Sequence, residues 1–133
     1  NKDVYGSQTY EGLIAELMEY GAGLGFEVHA YQNNGEGALI DHLQELYLEA
    51  DRTGVKIPVV LNPGAYTHYS YAIRDALASV SVPKVEVHIS NIMEREEFRR
   101  VSVTAPVCDK QIYGHGLEGY LEAIDFALEK LGE

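Results

Sequence analysis

The sequence predicts an α/β protein in which a parallel sheet lies between two layers of helices. Stretches with helical spacing of apolar residues alternate along the chain with short apolar stretches that are typical of strands. Parallel strands joined by helices need right-handed crossovers, which place helices on both faces of the sheet. With 133 residues, of which 46% are hydrophobic, the chain can bury one core of this kind. We therefore expect a single three-layer domain over residues 1–133.

The first half of the chain contains two helical patterns, each followed by a strand pattern. Apolar residues such as Leu13 and Leu17 share a helical face, and glycines follow that helix. Alternation of side chains predicts the first strand, and an apolar run too short for a helix predicts a second strand, buried on both faces. The predicted elements are a helix over 9–23, a strand over 26–31, a helix over 39–54 and a strand over 57–61.

The second half repeats this order, with one charged segment inserted. Residues 91–100 are short of apolar positions, and we interpret them as a helical turn that leads into extended residues 101–103. The closing helix has an apolar face, which includes Leu121 and Ile124. The predicted elements are a helix over 67–80, a strand over 85–89, a strand over 111–113 and a helix over 117–131.

The charge and cysteine content exclude several classes of protein. Ten Lys and Arg stand against 21 Asp and Glu, so the net charge is −11, which argues against binding to nucleic acid or to an anionic membrane surface. Cys108 is the only cysteine, which excludes an intrachain disulfide and a Cys-rich zinc site. No apolar run approaches the roughly 20 residues that span a bilayer, and no export signal is visible. We expect a cytoplasmic protein.

The predicted sheet has one edge where a ligand can bind. In open parallel sheets ligands lie beyond the carboxyl ends of the strands. Residues 62–64 follow one predicted strand and residues 88–91 close another, so both fall on this edge.

Glu86 and His88 are the strongest candidates for chemistry at that edge. At positions i and i+2 of a strand their side chains share a face, so the carboxylate can bind the imidazole, fix its tautomer and raise its basicity. This arrangement suits a general acid. A buried pair that is satisfied but inert is the alternative. No two of the five histidines have the spacing of a standard metal motif, and we predict no metal site.

Arginine is concentrated just after this strand. Arg95, Arg99 and Arg100 lie within six residues of one another, which in so acidic a chain suggests a site for an anionic or hydroxyl-rich ligand. The alternative is that the neighbouring glutamates pair with these arginines on a solvated face.

Three further features allow two interpretations each. His68 can position a substrate or pack at a helix start. Tyr5 can act as a base only where a neighbouring cation favours its phenolate, and is otherwise an ordinary aromatic residue. Residues 114–119 spell G-x-G-x-x-G, but no βαβ unit follows, so we interpret them as a turn and a helix start rather than a dinucleotide site.

Several segments together resemble type II 3-dehydroquinate dehydratase, also called type II dehydroquinase. They include NPGAYTH at 62–68 and VEVHISN at 85–91, and they occur in the family's order over nearly the whole chain. The segments are 5–6, 32–37, 62–68, 85–91, 95–99 and 114–120. The resemblance implies a flavodoxin-like fold with strand order 2-1-3-4-5 and dehydration of 3-dehydroquinate to 3-dehydroshikimate, without a cofactor, in the shikimate pathway.

The resemblance also implies a mechanism. A lid tyrosine removes a proton next to the ketone, an enolate forms, and a histidine protonates the departing hydroxyl in an anti elimination. By resemblance Tyr5 is the base, His88 the acid, and Glu86 orients His88. Asn62 would hold the imidazole and a substrate hydroxyl.

Substrate binding and assembly follow from the same resemblance. The backbone N–H groups of Ile89 and Ser90 would bind the carboxylate, and Arg99 and His68 the ring hydroxyls. Asp75 would reach in from a neighbouring subunit, which fits a homo-oligomer of trimers that assemble into a dodecamer.

The chain differs from the family at its start. Family members begin with a strand and a Gly-Pro-Asn-Leu-Asn loop, and carry a lid arginine five residues before the tyrosine; these are absent from the sequence. We expect the strand to be supplied from outside this numbering, between the strands at 26–31 and 57–61. Direct pairing of those two strands would refute this expectation. Gly35 and Ala38 also stand where the family often has His and Glu.

Two other functions are alternatives to the enzyme. A catalytically inactive binding or assembly protein on the same fold would lack the residues that position water and activate the base. A phospho-receiver domain would need clustered aspartates at strand ends, where this chain has Asn62 and His88.

Overall fold

The chain forms a parallel sheet with helices on both faces, as the alternating pattern predicts. A computed structural model describes residues 10–33, 35–62, 69–79, 82–88 and 101–132. Within these residues three parallel strands lie in the order β1-β2-β3, and four α-helices and one 3₁₀ turn connect or flank them. The elements are α1 (Tyr10–Gly23), α2 (Glu36–Thr53), β1 (Val59–Leu61), α3 (Tyr71–Ala78), β2 (Lys84–His88), the 3₁₀ turn (Ala105–Val107), β3 (Lys110–Tyr113) and α4 (Glu118–Leu131).

Strand β2 is the centre of this sheet, and its register fixes what lies beside each of its residues. Glu86 is opposite Leu61 of β1 and Gln111 of β3. At the amino end the Lys84 N–H donates to Oδ2 of Asp109 at 2.7 Å, and the Asp109 N–H donates to the Lys84 carbonyl at 2.7 Å. This reciprocal pair aligns the starts of β2 and β3.

Each face of the sheet has its own apolar core. On one face α4 covers the sheet, and α1 packs on α4. On the other face α2 and α3 pack together against Val59 and Leu61 of β1. The first core contains Val85, Val87, Ile112, Ala123 and Ala127, and the second contains Leu43, Ile73, Ala76 and Leu77. Since successive strand residues point to opposite faces, β2 directs its valines to α4, and Glu86 and His88 to the face of α2 and α3.

Helix α3 begins later than the sequence predicts, because a side chain caps it. The expected start was residue 67, but the helix starts at Tyr71, where the Ile73 N–H donates to Ser70 Oγ at 3.1 Å. The Ser70 hydroxyl in turn donates to the Glu36 carboxylate at 2.5 Å. A serine N-cap of this kind satisfies a backbone donor that the first helical turn leaves unpaired. It also ties the starts of α2 and α3 together.

The predicted strand over 26–31 is wrong. These residues form no ladder, and Phe26 and Tyr31 are 45% and 44% exposed. Residues 24–26 close α1 instead, since Gly25 has φ +85° and the Phe26 N–H donates to the Gly21 carbonyl at 2.9 Å. Alternation predicts a strand only where a neighbouring strand supplies hydrogen bonds, and sequence spacing does not show that neighbour.

The pairing that would have refuted an upstream strand does not occur in the described residues. There β1 pairs with β2 alone, and residues 26–31 do not pair with β1. Among the same residues no helix is long and apolar enough to cross a membrane.

Gly119 sets how closely α4 approaches the sheet, and it gives a test of this packing. A Cβ there would lie 3.3 Å from Val87 Cγ1 and 3.5 Å from Ile112 Cγ2. We expect Gly119→Leu to lower the free energy of unfolding by about 1–3 kcal/mol, because overpacking displaces the helix. Gly37→Leu is the control, since nothing lies within 4 Å of a Cβ at that position. Equal unfolding free energies for the two variants, measured in denaturant, would contradict this account.

Candidate active site

The buried pair Glu86 and His88 forms the centre of the candidate site. Nε2 of His88 lies 2.8 Å from Oε2 of Glu86, and the two residues are 5% and 0% exposed. The i,i+2 spacing on β2 predicts this contact, and the structure contains it. His88 is the last residue of β2, so its ring lies at the carboxyl edge of the sheet where ligands bind in open parallel sheets.

Three neutral side chains also donate hydrogen bonds to the Glu86 carboxylate. Gln111 Nε2 donates to Oε2 at 2.8 Å, and Ser102 Oγ donates to the same oxygen at 2.9 Å. The Thr104 hydroxyl donates to Oε1. The Ala105 N–H donates to Ser102 Oγ at 2.9 Å and so fixes that serine. Both carboxylate oxygens are therefore bonded, and Oε2 carries three of the contacts.

These donors keep Glu86 ionised although it is buried. Burial alone would raise the pKa of the Glu86 carboxyl, but hydrogen bonds from His88, Thr104 and Gln111 and the charge of His88 lower it to about 2. A carboxylate that accepts several hydrogen bonds is expected to behave in this way. At neutral pH the site therefore contains a fixed negative charge next to the imidazole.

That charge determines which nitrogen of His88 is available. With Nε2–H donating to Glu86, Nδ1 is the ring atom that can give or take a proton. The arrangement can therefore act as a general acid.

Asn62 lies at the same edge and is held from the opposite layer. It directly follows β1, and its Nδ2 donates to the Tyr120 hydroxyl at 3.0 Å. Tyr120 is in the first turn of α4, which Gly119 brings against β2 and β3. The close approach of α4 therefore places a phenol where it can bind the Asn62 amide.

The other predicted site residues divide into one that is described and five that are not. Asp75 lies on α3 and is exposed, and no hydrogen bond or ion pair of the described residues joins it to Glu86 or His88. Tyr5, His68, Ile89, Ser90 and Arg99 lie outside the described residues, as do Arg95 and Arg100.

Sequence reasoning missed the three neutral donors around Glu86. Ser102 and Thr104 are polar at i and i+2, and Gln111 stands in a strand whose next residue is buried Ile112. The polar residues at alternate positions could have indicated hydrogen-bond donors to a buried carboxylate. Tyr120 was part of a quoted motif, but its contact with Asn62 could not be read from spacing.

No metal site is found in the part of the chain that the structure describes: no three His, Cys, Asp or Glu side chains there lie close enough to hold an ion.

Cys108 is half-buried after the 3₁₀ turn. Burial and the nearby Glu86 charge raise the pKa of its thiol to about 12, so it is a thiol and not a thiolate at neutral pH.

The charge on Glu86 predicts how stability depends on pH. Its folded pKa of about 2 lies below the ordinary 4.5, so its contribution is complete above pH 4.5 and is lost as pH falls toward 2. Across that window we expect the wild type to lose about 3 kcal/mol of unfolding free energy that Glu86→Gln does not lose. Denaturant unfolding between about pH 2 and 6 measures this, with exposed Glu129→Gln as the control. Parallel curves for wild type and Glu86→Gln would rule it out.

Comparisons with known proteins agree with this geometry. The family model described as dehydroquinase class II matches residues 1–128. A 3-dehydroquinate dehydratase of Lachnoclostridium phytofermentans is 56% identical over 124 residues, which is 93% of this chain and 82% of that protein. One from Thermotoga maritima is 51% identical, over 100% of this chain and 87% of that protein.

Solved structures give the same result. The crystal structure of type II dehydroquinase from Butyrivibrio crossotus has a TM-score of 0.88 and 56% identity, and the match covers 96% of this chain and 86% of that one. A type II dehydroquinase from Propionibacterium acnes has a TM-score of 0.84 and 40% identity, with 96% and 85% covered. With its parallel sheet, its flavodoxin-like fold and a family model that matches almost its full length, this chain belongs to the class II dehydroquinase family.

Proposed function

We propose that this chain dehydrates 3-dehydroquinate to 3-dehydroshikimate by an anti elimination through an enolate, as a step of the shikimate pathway. The observation that carries the proposal is the buried Glu86–His88 pair at the carboxyl end of the central strand, in a chain of this family. No observation favours the alternative of an inactive binding protein.

His88 is the general acid of the proposed reaction. Hydroxide is a poor leaving group, so the C–O bond breaks readily only if the oxygen receives a proton as it departs. The imidazolium would deliver that proton from Nδ1 and keep Nε2–H on Glu86. The Glu86 carboxylate keeps the ring in one orientation before and after the transfer, because it holds Nε2–H throughout.

Asn62 is the proposed link between the imidazole and a substrate hydroxyl. Its amide has two N–H donors and one acceptor oxygen, and Tyr120 takes one donor at 3.0 Å. The Tyr120 contact supports this role, since a fixed amide plane is needed to hold two partners at once.

The remaining roles rest on the sequence motifs. We propose that Tyr5 removes the proton next to the ketone, that Arg99 and His68 bind ring hydroxyls, and that the backbone N–H groups of Ile89 and Ser90 bind the substrate carboxylate. The enolate that forms needs preorganised donors, and loss of one such donor typically costs about 10²-fold or more in rate.

We propose that the protein assembles as trimers that form a dodecamer, with Asp75 completing a neighbour's site. The exposure of Asp75 on α3, outside the hydrogen bonds of its own Glu86–His88 centre, supports this. Light scattering at micromolar protein is expected to give a mass that is a multiple of three chains. An active monomer at that concentration would refute it.

The reaction itself gives the main test. We expect the purified protein to convert 3-dehydroquinate to a conjugated enone, seen as a rise in ultraviolet absorbance. His88→Ala and Tyr5→Phe should each lower kcat by about 10²-fold or more, because general acid–base groups typically contribute 10²–10⁴-fold. Arg99→Ala should also raise KM, since it removes a charged donor from ground and transition states alike.

Gln44→Ala, at an exposed position of α2 and outside the segments that resemble the family, is the control and should keep the wild-type kcat. Absence of the enone with folded wild-type protein would overturn the proposed function. Wild-type turnover by Tyr5→Phe would remove the tyrosine from the role of base.

A further inference from the structure

The neutral donors around Glu86 fix the direction of its carboxylate as well as stabilising its charge. One strong partner, His88, already pairs with Oε2 at 2.8 Å. Gln111 and Ser102 nevertheless converge on the same oxygen, at 2.8 and 2.9 Å, while Thr104 holds Oε1. The contacts are thus concentrated on the atom that binds the imidazole.

The donors come from rigid parts of the fold. Gln111 is in β3, directly opposite Glu86 in the parallel ladder, so backbone pairing fixes its distance. Thr104 is fully buried immediately before the 3₁₀ turn. Bonds from β3 and from the segment before that turn hold both oxygens, so the carboxylate cannot rotate about its terminal C–C bond without breaking at least one of them. The position of Oε2, and with it the direction of the His88 ring, is fixed from two elements.

We propose that Gln111 and Thr104 are positioning residues, which align the Glu86 carboxylate so that it holds the His88 ring in the orientation needed for proton transfer. The inference deepens the proposed dehydration and rests on it. Neither residue needs to touch the substrate. Partners of this kind behind a functional imidazole typically contribute about 10–100-fold to activity.

The titratable groups in this layer do not replace these donors. The titratable side chains around Glu86 in the described residues are His88 and Lys84 on β2, with Cys108 and Asp109 before β3. Asp109 accepts from the Lys84 backbone N–H, and Cys108 is a protonated thiol. From α2 and α3 the core of this face receives the apolar Leu43, Ile73 and Leu77. None of the hydrogen bonds to Glu86 comes from α2 or α3 in the described residues, so loss of Gln111 or Thr104 leaves an oxygen with fewer donors.

The test compares Gln111→Leu and Thr104→Val with wild type, using the full chain and 3-dehydroquinate. We expect each variant to lower kcat about 10-fold while KM stays within about twofold, because the alignment matters only when the proton moves. Thr104→Ser keeps the hydroxyl and should restore the wild-type kcat. Gln44→Leu makes the same substitution as Gln111→Leu at an exposed position of α2 and should be indistinguishable from wild type.

A second measurement separates alignment from a loss of folded protein. Removal of one donor weakens stabilisation of the ionised carboxylate, so the acid loss of unfolding free energy should move to higher pH by about one unit in Gln111→Leu and in Thr104→Val. The kcat values are compared at a pH where denaturant unfolding shows each variant to be fully folded.

The possible outcomes decide the inference. A kcat within twofold of wild type in both Gln111→Leu and Thr104→Val, or a Thr104→Ser variant as slow as Thr104→Val, overturns it. An unchanged acid transition in both variants also overturns it, because the two donors would then not hold the carboxylate. If wild type itself forms no enone, the proposed function fails and the kinetic role of the two residues fails with it. A shifted acid transition in that case still shows that they anchor Glu86.

Discussion

The burial of an ionised carboxylate at the middle of β2 is the constraint on which the candidate site depends. A charge with no exposed surface is very unfavourable unless hydrogen bonds replace its water. The fold provides these bonds from β2 itself, from β3 and from the segment that precedes the 3₁₀ turn. The sheet register, the position of that turn and the polar residues at 102, 104 and 111 all contribute to holding one negative charge.

That charge links the structural and chemical roles of the strand. On the face toward α4, Val85 and Val87 are fully buried and pack in the core. On the other face Glu86 and His88 carry a carboxylate and an imidazole. Period-two alternation thus lets five consecutive residues build a hydrophobic layer and a polar site at once. Loss of either face would affect the other, because both depend on the same backbone pairing.

The sequence predicts the elements and the pairing within β2 because these depend on local spacing. Helical periodicity locates four helices, a short apolar run locates β1, and i,i+2 spacing brings Glu86 to His88. The strand over 26–31 was wrong because a strand also needs a partner, which alternation alone does not reveal. The meeting of Gln111 with Glu86 was equally hidden. It depends on the register of two strands 25 residues apart, and a register is set by the packed sheet.

The reciprocal bonds between Lys84 and Asp109 lie at the end of β2 opposite to His88. They nevertheless affect the candidate site, because they align β3 with β2. If β3 slid by one residue, Ile112 would move toward the face of Glu86 and Gln111 would turn to the α4 side. The pair therefore fixes the register of β2 and β3 along the rest of the sheet. A substitution at Asp109 could therefore inactivate the enzyme although Asp109 does not contact the substrate. A genetic screen for inactive mutants would identify such a substitution together with changes in the active site itself.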